Sequence, residues 1–261
     1  LPYIVANPSE TCVAPTEAGL WDSALSGRAW DVVTMQIHPS DGSNLGQDID
    51  AVLTFIDTAR SNPANADTRF ILYGAWPRTW ENSADDWTRN LQPISLNTPT
   101  SHSRAYQRAL YGQVAKARPD VDLAFLSIGE LLHLADVQIR EAVAGGGDWF
   151  GFTDVDQLYR DSVHMGYTQG RWLVSLAMWS AVTGQDPLGL VKPAGFFGDD
   201  AASILVTDPI YRDGLAEFVS ESMPAIQAVP EPGTGILAGL IIASAVIRQR
   251  RGFLPAIKSA A

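Results

Sequence analysis

The sequence predicts an α/β fold, a three-layer α/β/α arrangement around a parallel sheet, with one apolar helix appended near the C-terminus. Two observations carry the first part. Short β-branched runs bounded by turn residues alternate with amphipathic stretches of helical length, and strands so separated pair in parallel with helices over both faces. A third observation carries the appended helix: an uncharged apolar run follows a proline-rich stretch late in the chain. Trp30-Asp31-Val32-Val33-Thr34-Met35-Gln36-Ile37 reads as a buried strand ending in the turn His38-Pro39-Ser40-Asp41-Gly42. From Gln47 to Ala59, Ile49, Val52, Leu53, Ile56 and Ala59 recur at helical spacing. A strand follows at Arg69-Phe70-Ile71-Leu72-Tyr73-Gly74, then a tryptophan-rich polar loop from Ala75 to Ser101. Helix is expected over Ser103 to Ala117, stopped at Arg118-Pro119, and strand over Asp122 to Ile128. Helix resumes from Gly129 to Ala144, ends at Gly145-Gly146-Gly147, and a last helix over Gly166 to Thr183 closes the main domain. In such sheets the ligand crevice lies beyond the carboxyl ends of the strands.

The chain has 261 residues, enough for one large domain or a domain with an appendage. Its 29 acidic against 18 basic residues give a net charge of −11, which argues against nucleic acid as a partner. The hydrophobic fraction of 46% with 18% charged residues is globular. A single cysteine, Cys12, excludes an internal disulfide and a cysteine-based zinc cage and leaves the compartment open. No internal repeat or heptad is present. The first residue is Leu1, and no basic stretch followed by an apolar run opens the chain, so a truncated or processed product is expected.

Val229-Pro230-Glu231-Pro232-Gly233-Thr234 refuses helix, and Gly235 to Ile247 then runs without a charge to Arg248-Gln249-Arg250-Arg251. The shortness of the run argues for a buried helix, since a spanning helix takes about 17–25 residues. Apolar residues on all faces and the abrupt arginines argue for membrane insertion, the reading adopted. The segment resembles the PEP-CTERM protein-sorting signal of exported Gram-negative bacterial proteins, carried here by Pro230, Glu231, Pro232, Arg248, Arg250 and Arg251. That resemblance implies export, inner-membrane anchoring by the helix, and removal of the tail by an exosortase-type sorting protease, leaving the product at the cell surface or in the extracellular matrix. The expected organisation is a main domain over 1–220, a linker over 221–233, the membrane helix and arginine cluster over 234–251, and a tail over 252–261. The tail departs from such signals, which stop soon after the arginines.

Of the four histidines, His164 in Leu158-Tyr159-Arg160-Asp161-Ser162-Val163-His164-Met165-Gly166 is the most suggestive. A carboxylate three residues before an imidazole, in a turn leading to a helix, can accept a proton from one ring nitrogen. The other nitrogen is then left as a general base. A helix-capping aspartate beside a surface histidine is the competing reading. At these residues the sequence resembles the SGNH (GDSL-type) hydrolase superfamily, whose last block is Asp-x-x-His before the final helix and whose architecture is flavodoxin-like. Trp30-Asp31-Val32-Val33-Thr34-Met35-Gln36 is similar to the strand feeding that superfamily's third block, Tyr73-Gly74-Ala75-Trp76-Pro77 to the end of the next strand, and Gly170-Arg171 to a pair in the final helix. The resemblance covers about Trp21 to Gly184 and implies His164 as base and Asp161 as its orienter. Gln36 stands where the family has an oxyanion-hole asparagine. The family's Gly-Asp/Asn-Ser nucleophile block does not occur in this sequence, and Ser40 and Ser43 follow the wrong strand. The nucleophile, with the first strand, is therefore expected upstream of Leu1.

Trp76, Trp80 and Trp87 share one polar loop with Arg78, Glu81, Asp85 and Asp86. They read equally as a stacking platform for a sugar ring, with Trp76 and Trp80 as substrate-binding candidates, and as pins holding a long loop. His38 stands near the crevice edge as a further substrate-contact candidate, and His102 has no evident partner. Glu130 and His133 have the spacing of a carboxylate-bridged metal site but no second copy. Glu130 is therefore read as a first-turn residue and His133 as a packed one. No metal and no cofactor is expected. Two functions are expected to compete: an exported, cell-surface serine ester hydrolase acting on acyl or acetyl esters, carbohydrate-borne ones among them, and a non-catalytic glycan-binding surface protein on the same scaffold.

Overall fold

Five of the six residues in Arg69–Gly74, from Phe70 onward, are buried, and their alternation divides the molecule into layers. In the computed structural model, which describes residues 21–37, 42–77, 87, 94–162, 164–166, 169–190 and 209–228, this segment is the middle strand β2 of a parallel sheet. β1 (Val32–Gln36) pairs on one side of it, Gln36 opposite Tyr73, and β3 (Leu123–Ser127) on the other, Ser127 opposite Gly74. Phe70 and Leu72 point to one face with Val33, Met35 and Phe125, while Ile71 and Tyr73 point to the other with Leu126. Two helical layers are required to cover such a strand.

On the first face lie α2 (Leu45–Arg60), which presents Leu45, Ile49, Val52, Ile56 and Ala59, and α3 (Arg104–Ala117), which presents Tyr106, Leu110 and Val114. Both are crossover connections, and both lie on one side, as crossovers of a single hand require in a sheet that grows in one direction. α2 begins at Leu45, ahead of the apolar periodicity, because Asn44 and Gln47 form a capping box, each side chain meeting the other's backbone N–H at 3.1 Å. On the second face α4 (Ile128–Ala144), α5 (Gln169–Thr183) and α6 (Pro209–Gln227) pack Leu131, Ile139, Leu173, Leu176, Leu215 and Val219 against the sheet. A short first helix, α1 (Trp21–Gly27), precedes β1. The fold is three-layer α/β/α, as the alternation of strands and helices predicts.

Three details differ from the expectation. α1 and α6 were not expected. Residues 221–227, assigned to the linker, are the end of α6, because Ser222 and Ile226 are buried there. α5 begins at Gln169 rather than Gly166, whose N–H instead donates to Leu158 O at 2.7 Å in the preceding turn. Among the described residues no helix is long and apolar enough to cross a membrane. Pro230, Glu231, Pro232, Arg248, Arg250 and Arg251, expected to carry a sorting signal, and the apolar helix expected over 234–251, lie outside the described residues.

Candidate active site

The turn that carries Asp161 and His164 is built by backbone pairing before any side chain contributes. Tyr159 and Met165 form an antiparallel bridge, Arg160 N–H donates to His164 O at 2.9 Å, and buried Leu158 accepts from Gly166. Within this loop His164 N–H donates to Asp161 Oδ1 at 2.8 Å, and His164 Nδ1 lies 3.0 Å from each Asp161 oxygen. Arg160 Nε stands 3.3 Å from Asp161 Oδ2. The carboxylate thus holds Nδ1 and leaves Nε2 as the ring nitrogen it does not engage. Both side chains are about half exposed, so a reacting group can approach without a gap being opened in the core. Gly170, at the start of α5, fits under the turn because it has no side chain: a Cβ there would lie 2.0 Å from Leu158 O.

One hydrogen bond fixes this turn relative to the sheet. Tyr159 Oη donates to Pro77 O at 2.9 Å, and Pro77 lies three residues past the carboxyl end of β2. Burial raises the Tyr159 phenol pKa far above its ordinary value, aided by nearby Asp156, so the donor keeps its proton at any working pH. Trp76, half-buried in the same exit segment, meets Tyr73 edge-on with ring centroids 6.2 Å apart. Gln36 ends β1 as the register partner of Tyr73, and its side chain is exposed. Gln36, Trp76, Asp161 and His164 therefore belong to the carboxyl side of the sheet. His38 and Trp80 lie outside the described residues.

Trp87 is not part of an open platform. Its indole is 2% exposed and lies where a Gly129 side chain would be, with ring atoms 2.3–2.7 Å from that ideal Cβ position. Nε1 donates to Glu130 Oε2 at 3.0 Å, and Arg104 closes on the same carboxylate through Nε at 2.6 Å and Nη2 at 2.5 Å. Glu130 stands in the first turn of α4, where Ser127 caps the helix by accepting Glu130 N–H at 3.2 Å. His133 is half-buried one turn on, and burial lowers its imidazole pKa while Glu130 acts in the opposite sense. Among the described residues no group of histidine, cysteine and acidic side chains is placed to hold a metal ion.

Two residues of this region escape sequence reasoning. Arg104 reads as an ordinary first-turn arginine until Glu130 is brought against it from another helix. Gln107, 6% exposed, ties the exit of β2 to the segment before α3, its Nε2 donating to Ala75 O at 2.7 Å and to His102 O at 3.3 Å. A glutamine in the first turn of a helix carries no local signal of such a role.

No protein-family model matches the chain, and no curated protein matches its sequence. Among solved structures it is similar to a DUF4886 family protein from Bacteroides uniformis, with 15% identity, a TM-score of 0.44, and coverage of 80% of this chain and 68% of that one.

Proposed function

We propose that this chain belongs to an exported, cell-surface serine ester hydrolase of the SGNH type, acting on acyl or acetyl esters, carbohydrate-borne ones among them. The observation that supports this reading is the Asp161–His164 pair, joined at 3.0 Å in a turn tied through Tyr159 to the exit of β2. In this reading a serine hydroxyl attacks the ester carbonyl and gives its proton to His164 Nε2. Asp161 fixes the tautomer and stabilises the imidazolium that forms. The proton then goes to the leaving alcohol, and water, activated by the same imidazole, resolves the acyl-enzyme. Gln36 offers an amide donor to the oxyanion. The serine is not present as a Gly-Asp/Asn-Ser turn in this sequence. The outer edge of β1, which has no strand partner among the described residues, is where a strand delivering it would pair. The likeness of residues 229–251 to a PEP-CTERM signal supports export, transient anchoring in the inner membrane and processing by an exosortase-type protease.

The test is ester turnover by the complete gene product and by its His164→Ala variant. A fall of about 10²–10⁴-fold with an unchanged melting midpoint is expected; unchanged turnover sinks the assignment. The second reading, a non-catalytic glycan-binding surface protein, is favoured by the missing nucleophile block. It requires polysaccharide binding that Trp76→Ala weakens and His164→Ala leaves intact.

A further inference from the structure

Arg108 stands apart from the other arginines of the described residues. Arg60, Arg104, Arg118, Arg140, Arg160 and Arg212 each meet a carboxylate. The Arg108 guanidinium makes no hydrogen bond and no ion pair among the described residues, although the residue is half-buried on α3. In a chain with 29 acidic against 18 basic residues, a shortage of carboxylates does not explain this.

The neighbours of Arg108 define what it lacks. Arg104 lies one turn earlier on the same face of α3, and Glu130, at the start of α4, is close enough to act on both charges. Burial is the main effect that lowers the Arg108 pKa, Glu130 opposes it, and the Arg104 charge adds to it. Glu130 is already held by three donors: Arg104 Nη2 at 2.5 Å, Arg104 Nε at 2.6 Å and Trp87 Nε1 at 3.0 Å. Two guanidinium groups thus face one carboxylate. One positive charge is left over where water is partly excluded, and a charge in such a place is costly unless it is paired.

We propose that Arg108, with Arg104 beside it, is a binding site for one carboxylate group of a ligand. Charge and shape select this class. A monoanion cancels the excess, whereas a phosphate dianion leaves a negative charge over beside Glu130. A planar carboxylate also accepts two parallel N–H bonds from a guanidinium, the arrangement that Arg104 and Glu130 already show. A neutral sugar or an aliphatic chain leaves the cation unpaired. The carboxylate belongs either to a small free acid or to an acidic sugar of a polysaccharide, and the experiment separates the two. The inference does not depend on the esterase reading.

The experiment is a titration of the chain with sodium acetate, trigalacturonate and phosphate as its dianion, at constant ionic strength. It is followed through the arginine Nε–H resonances and the Trp87 indole N–H. Acetate is expected to shift Arg108, Arg104 and Trp87 saturably, with phosphate at least about tenfold weaker. Trigalacturonate binding at least about tenfold more tightly than acetate assigns the carboxylate to a polysaccharide, and equal binding assigns it to a small acid. Arg108→Gln is expected to abolish the Arg104 and Trp87 shifts. Arg108→Lys, which keeps the charge and loses the fork, is expected to weaken binding by about tenfold and serves should the first variant fail to fold. Absence of saturable shifts with both carboxylates, phosphate binding as tightly as acetate, or acetate affinity unchanged in either variant would each overturn the proposal. His164→Ala is expected to leave the titration unchanged, so the esterase reading stands or falls separately.

Discussion

Asn65 is fully buried where α1, the end of α2 and the start of β1 meet, and its amide joins all three. Nδ2 donates towards Ala59 O at 2.9 Å, Arg28 O at 3.0 Å and Leu25 O at 3.2 Å, and Oδ1 accepts Trp30 N–H at 2.8 Å. Asn65→Ala leaves those buried groups without partners, and a loss of about 2–4 kcal/mol is expected, read as a lower urea midpoint at unchanged slope. A different residue sets the acid limit. His133 is held below its ordinary pKa chiefly by burial, and its Nδ1 has no hydrogen-bond partner. The folded state disfavours the imidazolium, so the stability this residue contributes is present above its unfolded pKa of about 6.5 and is lost as pH falls through the lower folded value. The urea midpoint is expected to drop between about pH 7 and about pH 5, and His133→Gln is expected to flatten that slope. Asp161, by contrast, is exposed enough that Asp161→Asn should leave stability within about 0.5 kcal/mol of the parent. On the esterase reading the same change replaces the carboxylate by a neutral amide that neither stabilises the imidazolium nor holds a single tautomer, and turnover falls while the melting midpoint stays.

At the scale of elements, the start of α4 shows how one missing side chain organises a long loop. The Trp87 indole rests on bare Gly129 and is held by a carboxylate that Arg104 has already fixed in place. Gly129→Ala displaces the ring, and the lost burial and hydrogen bond are expected to cost about 3 kcal/mol, with a red shift in tryptophan emission. Trp87→Phe keeps most of the packing and loses only the N–H donor, at about 1 kcal/mol. Which elements the sequence announces follows from the same physics. β2 and β3 are legible because buried parallel strands are continuous apolar runs, β1 because its short run carries apolar residues on the buried face, and α2 to α4 because each has one clear apolar stripe; α5 is legible from its helical length between glycines. α6 is hidden by Pro209 and Pro224, although Leu215, Ala216, Val219 and Ile226 keep helical spacing, and α1 is too short to show a period. At the candidate site, Asp161 and His164 are three residues apart and can be read together. The Arg104–Glu130 pair, 26 residues apart, and the Gln107–Ala75 brace, 32 apart, exist only once the sheet has brought the helix starts side by side.

For the whole molecule, the sheet is covered unevenly. Val33 and Met35 of β1 are buried under the α2–α3 layer, but Thr34 and Gln36 on its other face are exposed, and among the described residues β1 has a strand on one side only. An open parallel edge invites pairing with another chain. Concentration-dependent self-association is therefore expected in sedimentation velocity, and Thr34→Lys, which places a charge on that strand at an exposed position, is expected to suppress it. A chain that stays monomeric at every concentration would mean that the edge is already occupied.

The bond from Tyr159 to Pro77 has a consequence for how this protein tolerates change. The acceptor is a peptide carbonyl, which every amino acid possesses, so replacing the residue at position 77 leaves the anchor of the His164 turn in place. Lengthening the chain between Gly74 and Pro77 by one residue is another matter, since it moves that carbonyl by up to about 3.5 Å and carries the histidine with it. At this point, descent can rewrite the letter at position 77 but cannot add or remove one before it.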